Sequence, residues 1–362
     1  MSKKIGIITF HNAINYGAIL QTFALSKAIE KTGNTCIVLN YECERIKRGT
    51  KIKIRFKNPR QLARDLLYLP CNLLRKVRFI NFKRKNLVLT KRLTKQQLQK
   101  NNNEFDLFIT GSDQVWNYQL TDFEKAFFLD FVNDNSKKYS YAASFGFDFL
   151  PQEYRQEYKE LLSYFNKISV REKAGVTILS KLGIEACEVL DPTFLLEKND
   201  WAKVFGDKKI KEEYILVYSY TSKILKDFAI KLSEHTNCKI IDISFSIKNL
   251  FNKRYISKVG IGPKEFLSLL YNARYVVTNS FHGTALAINF NKPLFIKFLP
   301  PPSKVNSRLE NIIEIFELKG RIIEEGKNID DYEPIDYDKV NSVLQREREK
   351  SLAFLKSILH EN

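Results

Sequence analysis

Short apolar runs alternate with amphipathic stretches along most of this chain. KIGIITF (4–10) is a β-branched run that predicts a buried strand. In the following HNAINYGAILQTFALSKAIEKTGN, Asn15 and Gly17 mark a turn. Ile19, Leu20, Phe23, Leu25, Ala28 and Ile29 then recur at helical spacing until Gly33-Asn34 stops them. TCIVLNY (35–41) is a second strand, and a strand–helix–strand opening predicts a parallel sheet. Residues 45–100 interrupt this alternation with helical, basic sequence. There Leu62, Leu66, Leu69, Leu73, Leu74, Val77 and Ile80 sit among Arg and Lys, and Pro70 is expected to kink or break the helix. Strand-and-loop units follow at 105–117, 137–146, 166–175 and 186–196.

A second series begins near Trp201. It predicts strands at 213–220, 238–245, 274–280 and 292–298, and helices at 222–237, 262–273 and from 281. The last stretch, DYDKVNSVLQREREKSLAFLKSILHEN, reads as one long helix. The expected organisation is an α/β fold of two Rossmann-like domains facing a cleft. It comprises an N-terminal domain (1–198) carrying the basic insertion at about 45–100, a C-terminal domain (199–335) and a closing helix (336–362). Ligands of open α/β sheets bind beyond the carboxyl ends of the strands, so the loops after Phe10, Ile109, Ser144, Val170 and Asn279 should share one cleft.

Composition adds three constraints. No apolar run is long enough for a signal-peptide core or a membrane span, which predicts a soluble cytosolic protein. The five cysteines form no CxxC pair and predict reduced thiols with no zinc site. The net charge of +18 is local: residues 45–100 hold 19 Lys or Arg and one acidic residue, Asp65, and the rest of the chain is neutral. One basic segment points to one anionic partner, whether nucleic acid, lipid headgroups or a phosphorylated substrate.

The candidate chemistry lies in the predicted loops. His282 ends a strand and opens a helix, where it can act as a general acid toward an anion held by helix N–H groups, or simply close the turn. Ser280 reads as an anion contact or a helix cap, with Gly283 and Thr284 next to it. His11, Asn15 and Tyr16 form a polar turn after the first strand; NYGA lacks the GxGxxG spacing of dinucleotide sites. GSDQVWN (111–117) offers Asp113, Gln114, Trp116 and Asn117 for sugar hydroxyls, or a capped loop with Trp116 in the core. Arg171, after a strand, can clamp a carboxylate or phosphate, or form a surface salt bridge. Arg308 opens a helix and can point the same way. Asp191, before Pro192, reads as a turn residue, and His235 and His360 as solvated.

Taken in order, HNAINYGAILQTFAL, ITGSDQVWN, YAASFG, ISVREKAG, VLDPTFLL, TNSFHGTALAINFNKP and NSRLENII resemble the polysaccharide pyruvyl transferase family. The resemblance runs from Phe10 to about Leu318. It implies a GT-B-like fold and transfer of the enolpyruvyl carbons of phosphoenolpyruvate onto two hydroxyls of a sugar in a capsule or exopolysaccharide precursor. It gives His282 the acid role and Arg171 a donor-binding role, with Ser280, Gly283, Thr284 and Arg308 around the donor. His11, Asn15, Tyr16, Asp113, Gln114, Trp116 and Asn117 fall to the acceptor. The arginine that family members carry just ahead of the motif histidine is replaced here by Asn279-Ser280-Phe281, so Arg308 or Lys297 would supply that charge. Phosphoenolpyruvate is the co-substrate, with no metal or redox cofactor. A polyprenyl-diphosphate-linked acceptor would bring the basic segment to the inner face of the membrane, and nucleic acid is not an expected partner. The rival readings are a GT-B-type glycosyltransferase using a nucleotide-sugar, and a non-catalytic sugar or headgroup binder.

Overall fold

The protein is described from a computed structural model that covers residues 2–52, 58–100, 102–206, 210, 212–219, 223–243, 254–300 and 306–360. In the first half the β-branched runs form β1 (Lys4–Ile8), β2 (Thr35–Val38), β3 (Leu107–Thr110) and β4 (Lys138–Ser140). They make one parallel sheet in the order β2-β1-β3-β4. Its register pairs Ile5 with Cys36 on one side and with Leu107 on the other. Short strands β5 (Ser169–Val170) and β6 (Cys187–Glu188) extend this half. The second half contributes β7 (Tyr214–Tyr218), β8 (Lys239–Ile243), β9 (Ile256–Lys258), β10 (Tyr275–Thr278) and β11 (Leu294–Ile296). Their order is β11-β10-β7-β8-β9, again all parallel. Because both sheets are covered on both faces, their strands read as continuous apolar runs rather than alternating ones.

The helices in chain order are α1 (Tyr16–Glu30), α2 (Glu44–Thr50), α3 (Pro59–Asn86), α4 (Lys95–Lys100), α5 (Tyr118–Thr121), α6 (Gln152–Ser163), α7 (Lys173–Lys181), α8 (Lys198–Phe205), α9 (Lys223–Thr236), α10 (Pro263–Asn272), α11 (Phe281–Asn289), α12 (Ser307–Ile315) and α13 (Tyr337–Leu359). Pro70 does not break α3, which runs through it for 28 residues. An internal proline costs about 3 kcal/mol or more. Here both halves of the helix are pinned, the first by buried Asp65 and the second by buried Phe79 and Phe82. Of the two outcomes expected at Pro70, the break does not occur: α3 is one helix.

Two features join the halves. One continuous core runs from Tyr16, Leu20 and Phe23 of α1 through Trp201 to Leu216, Phe266 and Ile288. The final helix α13 starts against the second half with Val340 and Leu344 and ends under the first sheet with Leu355, Ile358 and Leu359. Each such buried side chain is worth roughly 1.5–3 kcal/mol, so α13 straps the halves together.

Each sheet has a point where its strand order reverses. In the first sheet the chain leaves β1 for β2 on one side and returns at β3 on the other. In the second, β8 and β9 lie on one side of β7 and β10 on the other. Crevices open at such points, beyond the carboxyl ends of the strands. The loops concerned, after β1, β3 and β10, carry HNAINYG, GSDQVWN and NSFHG.

Candidate active site

Those three loops meet around a cavity of about 310 Å³ lined by Asn15, Asp113, Gln114, Ser280, His282 and Arg308, with Phe10, Phe281 and Leu309 among its apolar walls. The loop geometry follows from a few side-chain bonds. Asn15 caps α1 by accepting from Ala18 N–H, and Ser280 caps α11 by accepting from Gly283 N–H at 3.3 Å. Gln21, one turn further along α1, donates to the Thr9 hydroxyl at 2.9 Å and accepts from Ser112 N–H at 3.1 Å, tying the β1 and β3 loops together. Asp113 sits at φ 77° and accepts from Gln114 N–H, which turns its loop toward the cavity.

His282 is buried rather than exposed on a rim. Its Nε2 lies 3.5 Å from Asp191 Oδ2, an ion-pair distance with no formed hydrogen bond. The other side of the ring rests on Gly17, where a Cβ would fall 2.0 Å from Nδ1. This contact explains why NYGA carries a glycine: no side chain fits between α1 and the histidine.

Asp191 is the hub of the buried charges. It accepts from Arg171 at 2.8 Å, from Ser112 Oγ at 3.3 Å and from Thr193 N–H at 3.0 Å. Burial alone would raise its pKa, but His282 and Arg171 overcome that and hold the carboxyl well below the usual carboxylate range. The turn-residue reading of Asp191 is thus incomplete, since it caps a turn and also bridges the two basic groups. Arg171 faces inward. Besides Asp191 it has Asp113 at 3.5 Å and Glu172 at 3.7 Å, and its guanidinium lies 4.6 Å from the Phe281 ring centre. Three carboxylates neutralise it behind Phe281, so it does not line the cavity.

Arg308 shares with Arg171 its burial, the Phe281 face and an Nε without a hydrogen bond, and differs from it in having no carboxylate partner. It lines the cavity and is buried, yet among the described residues it has no hydrogen bond and no ion pair, and its Nε is orphaned. Burial first, and then the charge of Arg171, push its pKa from 12.5 down to about 10. A buried cation left without a partner is costly unless a ligand completes it. Lys297, the other candidate for this charge, donates to Ile323 O at 3.0 Å and does not line the cavity.

The remaining expected residues divide by place. Ser280 lines the cavity, whereas Gly283 and Thr284 lie behind it, their N–H groups bonded to Ser280; buried Thr284 Oγ1 has no partner among the described residues. Trp116 is fully buried between Phe128, Phe145 and Phe165 and donates to Phe127 O, so it is a core residue and not a sugar platform. Tyr16 stacks on Phe266 with ring centres 4.5 Å apart and donates to Ile261 O, which makes it a joint between the halves. Asn117 caps α5 and donates to Gln114 Oε1 at 3.1 Å, positioning Gln114. His11 faces a second cavity of about 310 Å³ with Asn12, Lys47, Lys76 and Lys83, which shares Phe10 and Ala13 with the first. Burial and neighbouring Lys83 lower its pKa to about 4. Lys83 donates to Asn12 Oδ1 and is itself made less basic by burial. Asp191, Gly17 and Gln21 are the residues that the sequence reading did not single out for the site.

A family model for polysaccharide pyruvyl transferases matches residues 15–296, a span that holds the loops after β3 and β10 and the start of α1 but neither His11 nor Arg308. The chain belongs to the polysaccharide pyruvyl transferase family. No curated protein matches it. Among solved structures it is similar to the putative UDP-N-acetylglucosamine 2-epimerase of Listeria monocytogenes (TM-score 0.53, 10% identity, covering 97% of this chain and 91% of that one). It is also similar to the UDP-GlcNAc 2-epimerase of Neisseria meningitidis (0.52, 10%, covering 99% and 100%) and to a glycosyltransferase of Rickettsia africae (0.51, 12%, covering 100% of both). At these identities the likeness is one of fold: two Rossmann-like domains in the GT-B arrangement.

Proposed function

We propose that this family member transfers the enolpyruvyl carbons of phosphoenolpyruvate to a sugar of a capsule or exopolysaccharide precursor, forming a pyruvate ketal. The observation that carries the reading is Arg308: a buried guanidinium with no carboxylate partner among the described residues, in the same cavity as His282. A small donor that carries both a carboxylate and a phosphate supplies the missing counter-charge, and either group fits the planar fork. Asn15, Gln114 and Ser280 offer polar contacts around it.

The chemistry then follows from charge. His282, 3.5 Å from Asp191, donates a proton to the methylene carbon of the donor. The neighbouring carbon becomes oxocarbenium-like, a sugar hydroxyl adds to it, the carbon–oxygen bond to phosphate breaks, and a second hydroxyl closes the ketal. One hydroxyl proton replaces the one His282 gave to the new methyl group, and the other leaves with phosphate. Arg308 stabilises the departing phosphate. Arg171 acts on the site through Asp191, Asp113 and Phe281 and is a positioning residue. We assign the acceptor to the adjoining cavity around His11, Asn12 and Lys83, which meets the donor cavity at Phe10 and Ala13.

The test is thermal stabilisation by phosphoenolpyruvate against a panel of nucleotide-sugars, followed by phosphate release from phosphoenolpyruvate with sugar acceptors. Stabilisation by phosphoenolpyruvate that Arg308→Met loses supports the reading. Stabilisation by a nucleotide-sugar alone, with nucleotide release on turnover, replaces it with a glycosyltransferase.

A further inference from the structure

Helix α3 combines a dense basic charge with the longest exposed apolar stripe among the described residues. Leu66, Leu67, Leu73, Leu74 and Val77 are 46–61% exposed and account for five of the twelve large apolar side chains exposed among the described residues. At 3.6 residues per turn these positions fall on one stripe, with exposed Pro70 in its middle. Scattered exposed leucines need no explanation, but a continuous stripe three turns long does.

The opposite face of the helix is fixed. Arg75 donates to Ile14 O at 3.2 Å and lies over Tyr16. Arg78 donates to Gly260 O at 3.0 Å and pairs with Glu265 at 3.3 Å. Phe79 and Phe82 are buried in the core shared by both halves. The helix is therefore held in place and cannot roll its leucines inward. Its sequence carries eight basic residues and one acidic one, buried Asp65. Arg60, Arg64, Lys76, Arg84 and Lys85 make no ion pair among the described residues.

Charge decides what covers the stripe. A second copy of the chain, meeting it face to face, would bring the same eight cations together without counter-charge. An anionic bilayer offers apolar chains for the leucines and phosphates for the cations. No helix among the described residues is long and apolar enough to cross a membrane. We propose that α3 is an interfacial anchor that lies in the plane of an anionic membrane surface, leucine stripe down, with its basic side chains among the lipid phosphates. Lys76 and Lys83 of the same helix also line the cavity around His11, so docking holds that cavity on the side of α3 turned away from the lipid. The anchor stands on α3 alone and does not depend on which donor the enzyme uses.

The experiment is flotation of the full-length protein with vesicles of phosphatidylcholine alone and of phosphatidylcholine mixed with phosphatidylglycerol. The protein should float only with the anionic vesicles, and less as salt rises. The combined change Leu66→Ser, Leu67→Ser, Leu73→Ser and Leu74→Ser should weaken this at least about tenfold while leaving the thermal midpoint unchanged, because those side chains are exposed. Each basic residue near the surface counts for on the order of fivefold, so Arg60→Gln, Arg64→Gln, Arg84→Gln and Lys85→Gln together should abolish flotation. The charge variant decides the matter if the leucine variant fails to fold. The anchor is refuted if anionic vesicles do not bind the protein, if binding survives the charge changes, or if the wild type is a dimer that the leucine changes convert to monomer.

Discussion

Replacing Arg308 by methionine should stabilise the ligand-free protein and destroy donor binding, two effects of opposite sign from one change. Burial and Arg171 lower the Arg308 pKa from 12.5 to about 10. A tenfold change in acidity is about 1.4 kcal/mol, so keeping the guanidinium charged in the fold costs roughly 3 kcal/mol. The Phe281 face, 5.9 Å from the guanidinium carbon, offsets some of this, by about 0.5–1 kcal/mol. Methionine has similar reach and no charge, so Arg308→Met should gain about 2 kcal/mol. The sign with pH is fixed. Below about pH 10 the folded and unfolded arginines are both charged and the penalty is complete; it fades only as pH rises from about 10 toward 12.5. A neutral-pH measurement therefore sees all of it. Phosphoenolpyruvate at a hundred times its dissociation constant should stabilise the wild type by about 2.7 kcal/mol and the variant by almost nothing. In a fluorimetric melt the variant should unfold a few degrees above the ligand-free wild type, and the donor should move only the wild type. A variant that melts below wild type, or that keeps the donor shift, would refute the argument that Arg308 is a charge held in waiting for an anion.

Other changes test the groups behind it. Asp191→Ala should cost about 3–5 kcal/mol in urea unfolding, because Arg171 keeps its burial and loses its nearest carboxylate; an unchanged midpoint would mean that Asp113 and Glu172 hold Arg171 by themselves. Gly17→Ala puts a Cβ where the His282 ring now lies. A displacement of that order should reduce kcat about a hundredfold with the donor KM little changed, and wild-type kcat would show that the ring has room to move. His282→Gln should remove turnover yet keep the phosphoenolpyruvate melting shift, and residual turnover near wild type would take the proton-donor role from it. His11 titrates at about 4 when folded and near 6.5 when unfolded. The unfolded chain thus binds the extra proton first as pH falls, so stability should drop between about pH 6.5 and 4 and be flat above; His11→Gln should flatten that slope, and an identical slope would place the acid sensitivity elsewhere.

The sequence pattern captured the fold because parallel strands buried on both faces announce themselves as β-branched runs, and α1 and α11 announce themselves by their caps. Lys4–Ile8, Tyr214–Tyr218 and Tyr275–Thr278 all fall inside runs that periodicity alone marks as strands. Pro70 shows the limit of local rules. Its cost is a property of the helix, but the packing of Phe79 and Phe82 that outweighs it is a property of the tertiary structure.

The site was legible to the extent that each residue acts beside its own loop. His282 and Ser280 stand where a strand hands over to a helix, and that position was readable. Partnership across the chain was not. Arg171 and Arg308 both follow the pattern of an arginine at the edge of an element, and the sequence favours the first. The structure distinguishes them by their partners: Asp191, 20 residues beyond Arg171, turns back to meet it, while no carboxylate among the described residues reaches bonding distance of Arg308. Which buried cation is left without a carboxylate depends on long-range contacts. The glycine of NYGA makes the same point with volume instead of charge. In sequence it reads as a turn residue, and in the fold it is the gap into which His282 packs, 265 positions further along the chain.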